Sequence, residues 1–142
     1  MTDAREVRDR YFAAFNAHDM DALLSTISPA CVATSPEGAA EGHDELASYI
    51  GQFWEAFPNM RALTWESFDV GDVTVDEMTF AGTHKGPYAG PNGQVIAATG
   101  RTVQLRACYI CTIENGSIVS MRFYFDQLEV LAQLGALPNS TI

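Results

Sequence analysis

Residues 101–125 read RTVQLRACYICTIENGSIVSMRFYF, and this stretch decides the fold. Two runs rich in β-branched and aromatic residues, 102–113 and 117–126, flank Glu114-Asn115-Gly116-Ser117. An Asn-Gly pair accepts the positive φ angles of the tight turn that twisted antiparallel strands require, so a hairpin is predicted here. Upstream, 62–69 and 73–83 read as two further strands joined through Val70-Gly71-Asp72. Downstream, QLEVLAQL reads as a short helix stopped by Gly135 and Pro138. Ahead of these strands the apolar period changes. Val7, Tyr11, Ala14 and Phe15 form one helical stripe over residues 4–17. Asp19 caps a second helix bearing Leu23, Leu24 and Ile27, after which CVATS is a short strand and PEGAAEG a loop. A third helix over 43–57 turns Leu46, Ile50, Phe53, Trp54 and Phe57 inward and is closed by Pro58. Helices first and an antiparallel meander second predict an α+β domain, with the helices packed on the concave face of a curved sheet. Such a bent sheet leaves a cavity unless side chains fill it, and a cavity of that kind is a ligand site.

The chain has 142 residues, with 18 acidic against 8 basic residues and a formal charge of −10. That length suits one domain spanning 1–142, and its apolar content excludes a disordered chain. The average negative field repels polyanions, so neither nucleic acid nor an anionic membrane surface is an expected partner. Apolar runs are short and interrupted by charge, so no membrane span is predicted. The opening MTDAREVRDRYF is charged and helical rather than signal-like, and a cytoplasmic location is expected. Cys108 and Cys111 have a C-x-x-C spacing, yet mid-strand their thiols point to opposite faces; with Cys31 they read as buried structural cysteines. His18, His43 and His84 have no clustered spacing with carboxylates, so no metal site is expected.

Several side chains could carry chemistry. His84 ends a strand ahead of Gly86-Pro87; it is either an acid/base near neutral pH or a ring that fixes the mouth of the loop spanning 80–101. Asp126 ends the last strand; it is either a proton-transferring carboxylate or the cap of the helix that starts at Gln127. Alternation puts Arg122, Tyr124 and Asp126 on one face and Met121, Phe123 and Phe125 on the other. If the polar set lines a cavity, Tyr124 and Arg122 are substrate-binding candidates. Arg106, on the preceding strand, could hold an anionic or carbonyl substrate, or pair with an acid such as Asp126. Tyr11 and Trp54 lie on the apolar faces of helices one and three and are either core or cavity lining. No Gly-x-Ser-x-Gly, phosphate loop or dinucleotide fingerprint occurs.

The chain resembles the SnoaL-like polyketide cyclases of the nuclear-transport-factor-2-like superfamily. The resemblance runs through RDRYFAAFNAHDMDALLSTIS, FWEAFPNM, GTHKGPY, AATGRTV and ENGSIVSMRFYFDQLEVLAQLG. It implies a cone-shaped α+β barrel with an internal pocket, commonly a homodimer. It also implies a reaction that needs no metal or cofactor, the intramolecular aldol closure of an anthraquinone-type polyketide ester. Asp126 matches the family's catalytic aspartate, and His84 is the candidate for its histidine partner. Helix one is similar to that of the ketosteroid isomerases, with Tyr11 at their oxyanion-hole tyrosine. However, Ser35 stands before Pro36 where their base aspartate falls, and Ala107 or Cys108 where their second acid falls. An isomerase of that type is therefore rejected. The favoured expectation is an acid/base enzyme acting on a hydrophobic carbonyl compound; a non-catalytic carrier of such a compound is the alternative. A pocket with Asp126 and His84 converging supports the enzyme, both directed outward the carrier, and a filled interior a purely structural domain.

Overall fold

The computed structural model describes residues 3–137. Helix α1 (Ala4–Ala17) starts where the Asp3 carboxylate accepts the Glu6 N–H at 2.8 Å, and it stops at His18, whose φ of 53° is left-handed. It buries the predicted stripe of Val7, Tyr11, Ala14 and Phe15, and Phe12 beside it. Asp19 caps the short α2 (Met20–Leu24) through the Ala22 N–H. Strand β1 (Ile27–Ser35) begins earlier than predicted, taking Ile27 out of the helix. Part of the predicted loop is strand β2 (Gly38–Glu41), paired antiparallel with β1 across a tight turn at residues 36–37. Helix α3 (Gly42–Ala56) follows. Then come β3 (Arg61–Val70), β4 (Val73–Thr83), a two-residue ribbon of β5 (Tyr88–Ala89) and β6 (Val95–Ile96), β7 (Thr102–Glu114), β8 (Ser117–Phe125) and α4 (Gln127–Leu134). Gly135 ends α4 at φ 71°, and Pro138 lies outside the described residues.

The main sheet runs β2-β1-β8-β7-β4-β3 and is not closed, since β2 and β3 are its two edges. Every neighbouring pair is antiparallel except β1 and β8, which run parallel, so the meander expected from sequence is extended by strands from the N-terminal half. The β7–β8 hairpin turns at Asn115 and Gly116, both at positive φ (52° and 77°), as their sequence requires. Burial alternates strictly along both β4 and β7. Met78, Phe80, Leu105 and Tyr109 face the helices, with Met121 and Phe123 of β8 beside them. Cys111 is on this inner face and buried, Cys108 on the outer face and partly exposed, and all three cysteines are free.

The inner face also carries charge where α1 crosses it. Asp76 of β4 is fully buried, accepts from the Ser67 hydroxyl and meets Arg8 Nε of α1 at 3.0 Å. The Arg8 guanidinium also lies 4.6 Å from the Phe12 ring centre. This pair ties α1 to the sheet at the end remote from the ribbon.

The segment between β4 and β7 is clamped rather than free. His84 exchanges backbone hydrogen bonds with the 100–101 backbone, and the Lys85 and Gly86 N–H groups both donate to the Ala56 carbonyl at the end of α3. A Cβ on Gly86 would stand 2.2 Å from the Glu55 carbonyl oxygen, so only glycine lets the segment approach the helix this closely.

Candidate active site

A cavity of about 240 Å³ lies between α3 and the inner face of the sheet. Leu46, Tyr49 and Ile50 of α3 form one wall, Tyr109, Met121 and Phe123 the floor, and Ala33 and Ser35 of β1 a side. A narrow apolar extension runs inward between Phe15, Phe53, Met60, Phe80 and Leu105. At the mouth, Glu37, Tyr49 and Gln52 face Tyr88 and Ala89 of the ribbon, and Gln127 borders the same opening. The segment at 84–101 thus supplies one lip of the opening.

Two hydroxyl-bearing pairs face the cavity. At the mouth, the Tyr49 hydroxyl donates to the Glu37 carboxylate at 3.0 Å. Glu37 is exposed at its turn, yet the neighbouring atoms of α3 and the ribbon desolvate its carboxyl, which raises its pKa above the ordinary 4.5 against a smaller lowering by the Tyr49 hydroxyl. Burial, and then the nearby Glu37 charge, raises the Tyr49 pKa, so Tyr49 remains a protonated donor. At the floor, the Tyr109 and Tyr11 hydroxyls are 3.4 Å apart. Tyr109 stacks on Phe123 with ring centres 4.5 Å apart and planes 18° from parallel. Burial raises the pKa of both floor phenols, which stay protonated.

The residues singled out from sequence are not brought together. Asp126 is exposed and caps α4, accepting from the Leu128 and Glu129 N–H groups at 2.9 and 3.4 Å. His84 is fully buried behind the mouth, between Phe57 and Tyr88. Its Nδ1 accepts the Thr99 N–H at 3.1 Å, which puts the proton of the neutral ring on Nε2. Burial lowers the His84 pKa, against a smaller raising by the Gly86 backbone. Neither residue is among those lining the cavity. Arg106, Arg122 and Tyr124 are exposed on the outer face of the sheet. Here the expectation is corrected: alternation along β8 gives the cavity Met121 and Phe123, and the polar set points the other way. Tyr11 is fully buried behind the lining and reaches the cavity through Tyr109 and Phe15. Trp54 lies half-buried, stacked on His18 with ring centres 4.7 Å apart and planes 6° from parallel.

Glu37, Tyr49 and Tyr109 are the residues that sequence reasoning passed over. Tyr49 and Tyr109 carried a signal, since a tyrosine on an inward helix or strand face places a hydroxyl in an otherwise apolar wall. Glu37 carried none, because a glutamate beside glycine in a turn is ordinarily solvated. Among the described residues there is no cluster of three or more histidine, cysteine or acidic side chains placed to hold a metal, and no helix long and apolar enough to cross a membrane.

Comparison with known proteins agrees with this architecture. A structure from Jannaschia sp. CCS1 named as a candidate SnoaL-like polyketide cyclase superposes with a TM-score of 0.83 at 23% identity, covering 95% of this chain and 93% of its own. A candidate polyketide cyclase from Pseudomonas putida KT2440 gives 0.81 at 24% identity, over 94% and 98%. A candidate hydroxylase from Streptomyces galilaeus also gives 0.81, at 20% identity over 97% and 88%, so the shared fold carries more than one named activity. No curated protein matches the chain. The family model for SnoaL-like polyketide cyclase matches residues 5–134, which is nearly the whole chain, and the chain belongs to that family.

Proposed function

We propose that this protein is a small-molecule enzyme that binds a flat, hydrophobic carbonyl compound in the cavity and closes a ring in it by an intramolecular aldol step. The observation that carries this reading is the floor: Tyr109 presents a protonated hydroxyl, backed by that of Tyr11, between Met121 and Phe123 of the sheet and Leu46 and Ile50 of α3. An enolate oxygen developing over such a floor gains a preorganised donor where little water competes, and a donor of that kind contributes about 10²- to 10³-fold in rate. The stacked Tyr109 and Phe123 rings suit a planar aromatic substrate.

The family resemblance gives proton transfer to Asp126 with His84 as its partner. Support for Asp126 is its place next to Gln127, which borders the mouth. Support for His84 is its contact with Tyr88 at the lip, where it holds that ring in position. Their direction away from the lining favours a second reading, a carrier that binds the same class of molecule without turning it over. We also propose that the protein is a homodimer that pairs through the outer face of the sheet, where Leu63, Phe68 and Tyr124 are exposed.

The test uses an anthraquinone acetate methyl ester bearing a second carbonyl, with binding followed by tryptophan fluorescence. Wild type should cyclise it, and Tyr109→Phe should lose about 100-fold in kcat while binding is retained. Binding without turnover supports the carrier. Neither binding nor turnover removes this substrate class. Asp126→Asn in the same assay tests the assignment from resemblance.

A further inference from the structure

One carboxyl lining the cavity is given no role by the family resemblance. Glu37 sits at the turn between β1 and β2, at the only edge of the cavity wall where a carboxylate, a phenol and the opening meet among the described residues. We propose that Glu37, held by the Tyr49 hydroxyl, is the proton-transferring carboxyl of this site. The inference rests on the acid/base reading above.

Three observations carry it. The Tyr49 bond fixes one carboxylate oxygen on the cavity side of the turn, leaving the other oxygen for a substrate C–H. Glu37 borders both the main cavity and the opening, so its carboxyl can exchange protons with water between turnovers. Among the described residues, the titratable groups that share its surroundings are Tyr49 and Glu45 on α3 and Tyr88 on the ribbon, and none of them carries positive charge. With no cation to hold it as a weak base, the carboxylate is a stronger proton acceptor than an ordinary glutamate, in line with its raised pKa.

The step balances within one substrate molecule. The Glu37 carboxylate removes a proton from the carbon next to the ester carbonyl, and the C–H electron pair becomes an enolate. The enolate carbon attacks the second carbonyl carbon of the same molecule, forming the C–C bond and leaving an alkoxide. The protonated Glu37 returns its proton to that alkoxide. No oxidant, reductant or water is consumed.

The test separates this assignment from the cyclase reading by using proton exchange as well as ring closure. An anthraquinone acetate methyl ester without the second carbonyl is incubated in D₂O, and deuterium uptake at its acidic carbon is followed by mass spectrometry. Wild type should catalyse exchange; Glu37→Gln should lose about 100-fold or more while retaining binding, and Glu37→Asp should recover part of it. Tyr49→Phe removes the donor that holds the carboxyl pKa down. The acid limb of the exchange profile should therefore move to higher pH, with the rate recovered on the alkaline side, which loss of packing alone would not produce. A carboxyl ¹³C NMR titration should find Glu37 above the ordinary glutamate range. Exchange unchanged in Glu37→Gln, an ordinary Glu37 titration, or exchange lost only in Asp126→Asn overturns the proposal. Exchange by wild type without ring closure of the full substrate sustains it and overturns the cyclase reading alone.

Discussion

Glu37 and His84 are both displaced from their ordinary pKa values by desolvation, and the displacement acts on stability in opposite directions. Glu37 is raised above 4.5, so its folded state resists ionisation. That contribution to stability is intact below 4.5 and is lost as pH rises through the folded pKa. Glu37→Gln is therefore expected to melt higher than wild type at pH 7 and to lose that advantage near pH 4, checked by thermal denaturation at both pH values. His84 is lowered from 6.5, so its folded state resists protonation, and its contribution is intact above 6.5 and lost as pH falls below it. Urea midpoints between pH 7.5 and 5 should fall for wild type, and the fall should be shallower for His84→Gln. Asp126→Ala is expected to cost about 1 kcal/mol through the lost α4 cap, whereas Asp126→Asn keeps an acceptor and should cost less. At this scale the sequence was legible only where a residue acts on its neighbours. The Asp126 cap is two and three residues long in its reach, and it was anticipated. The Glu37–Tyr49 pair spans twelve residues and depends on how a hairpin lies over a helix, so no local pattern contains it.

Among the elements, the helices and the four long strands follow from periodicity, and the β7–β8 turn follows from the chemistry of Asn115-Gly116. Strand β2 was not legible. Gly38-Ala39-Ala40-Glu41 has little intrinsic strand preference, and it becomes a strand because β1 offers a ladder to pair with. The inner and outer sets of β8 were separated correctly by alternation; which set meets the cavity is decided by the side on which α3 packs. The segment at 84–101 shows how an element can be held by one residue type. Gly86→Ala drives a methyl group into the Glu55 carbonyl and is expected to cost about 1–3 kcal/mol by overpacking. Because the same segment positions Tyr88 and Ala89, ligand affinity should fall along with the melting temperature, read by fluorescence titration of the folded variant.

Across the whole molecule, the cavity exists because the sheet curves without closing and α3 spans its concave side, while α1 is fastened at the other end. The fastening is ionic. Asp76→Ala takes the buried carboxylate away from Arg8 Nε, leaving that guanidinium its contacts to Asp9 and Thr64, and should destabilise the fold by about 3 kcal/mol, measured by urea denaturation at low and high salt. The floor and extension of the cavity draw on α1, α3, β4, β7 and β8, so the fold class was readable from element order long before the identity of the lining was. The stack of Trp54 on His18 gives the molecule an optical reporter. Trp54 also meets Phe15, which lines the inner extension. A ligand that reaches that depth therefore announces itself in the emission of one tryptophan, and a ligand that stops at the mouth does not.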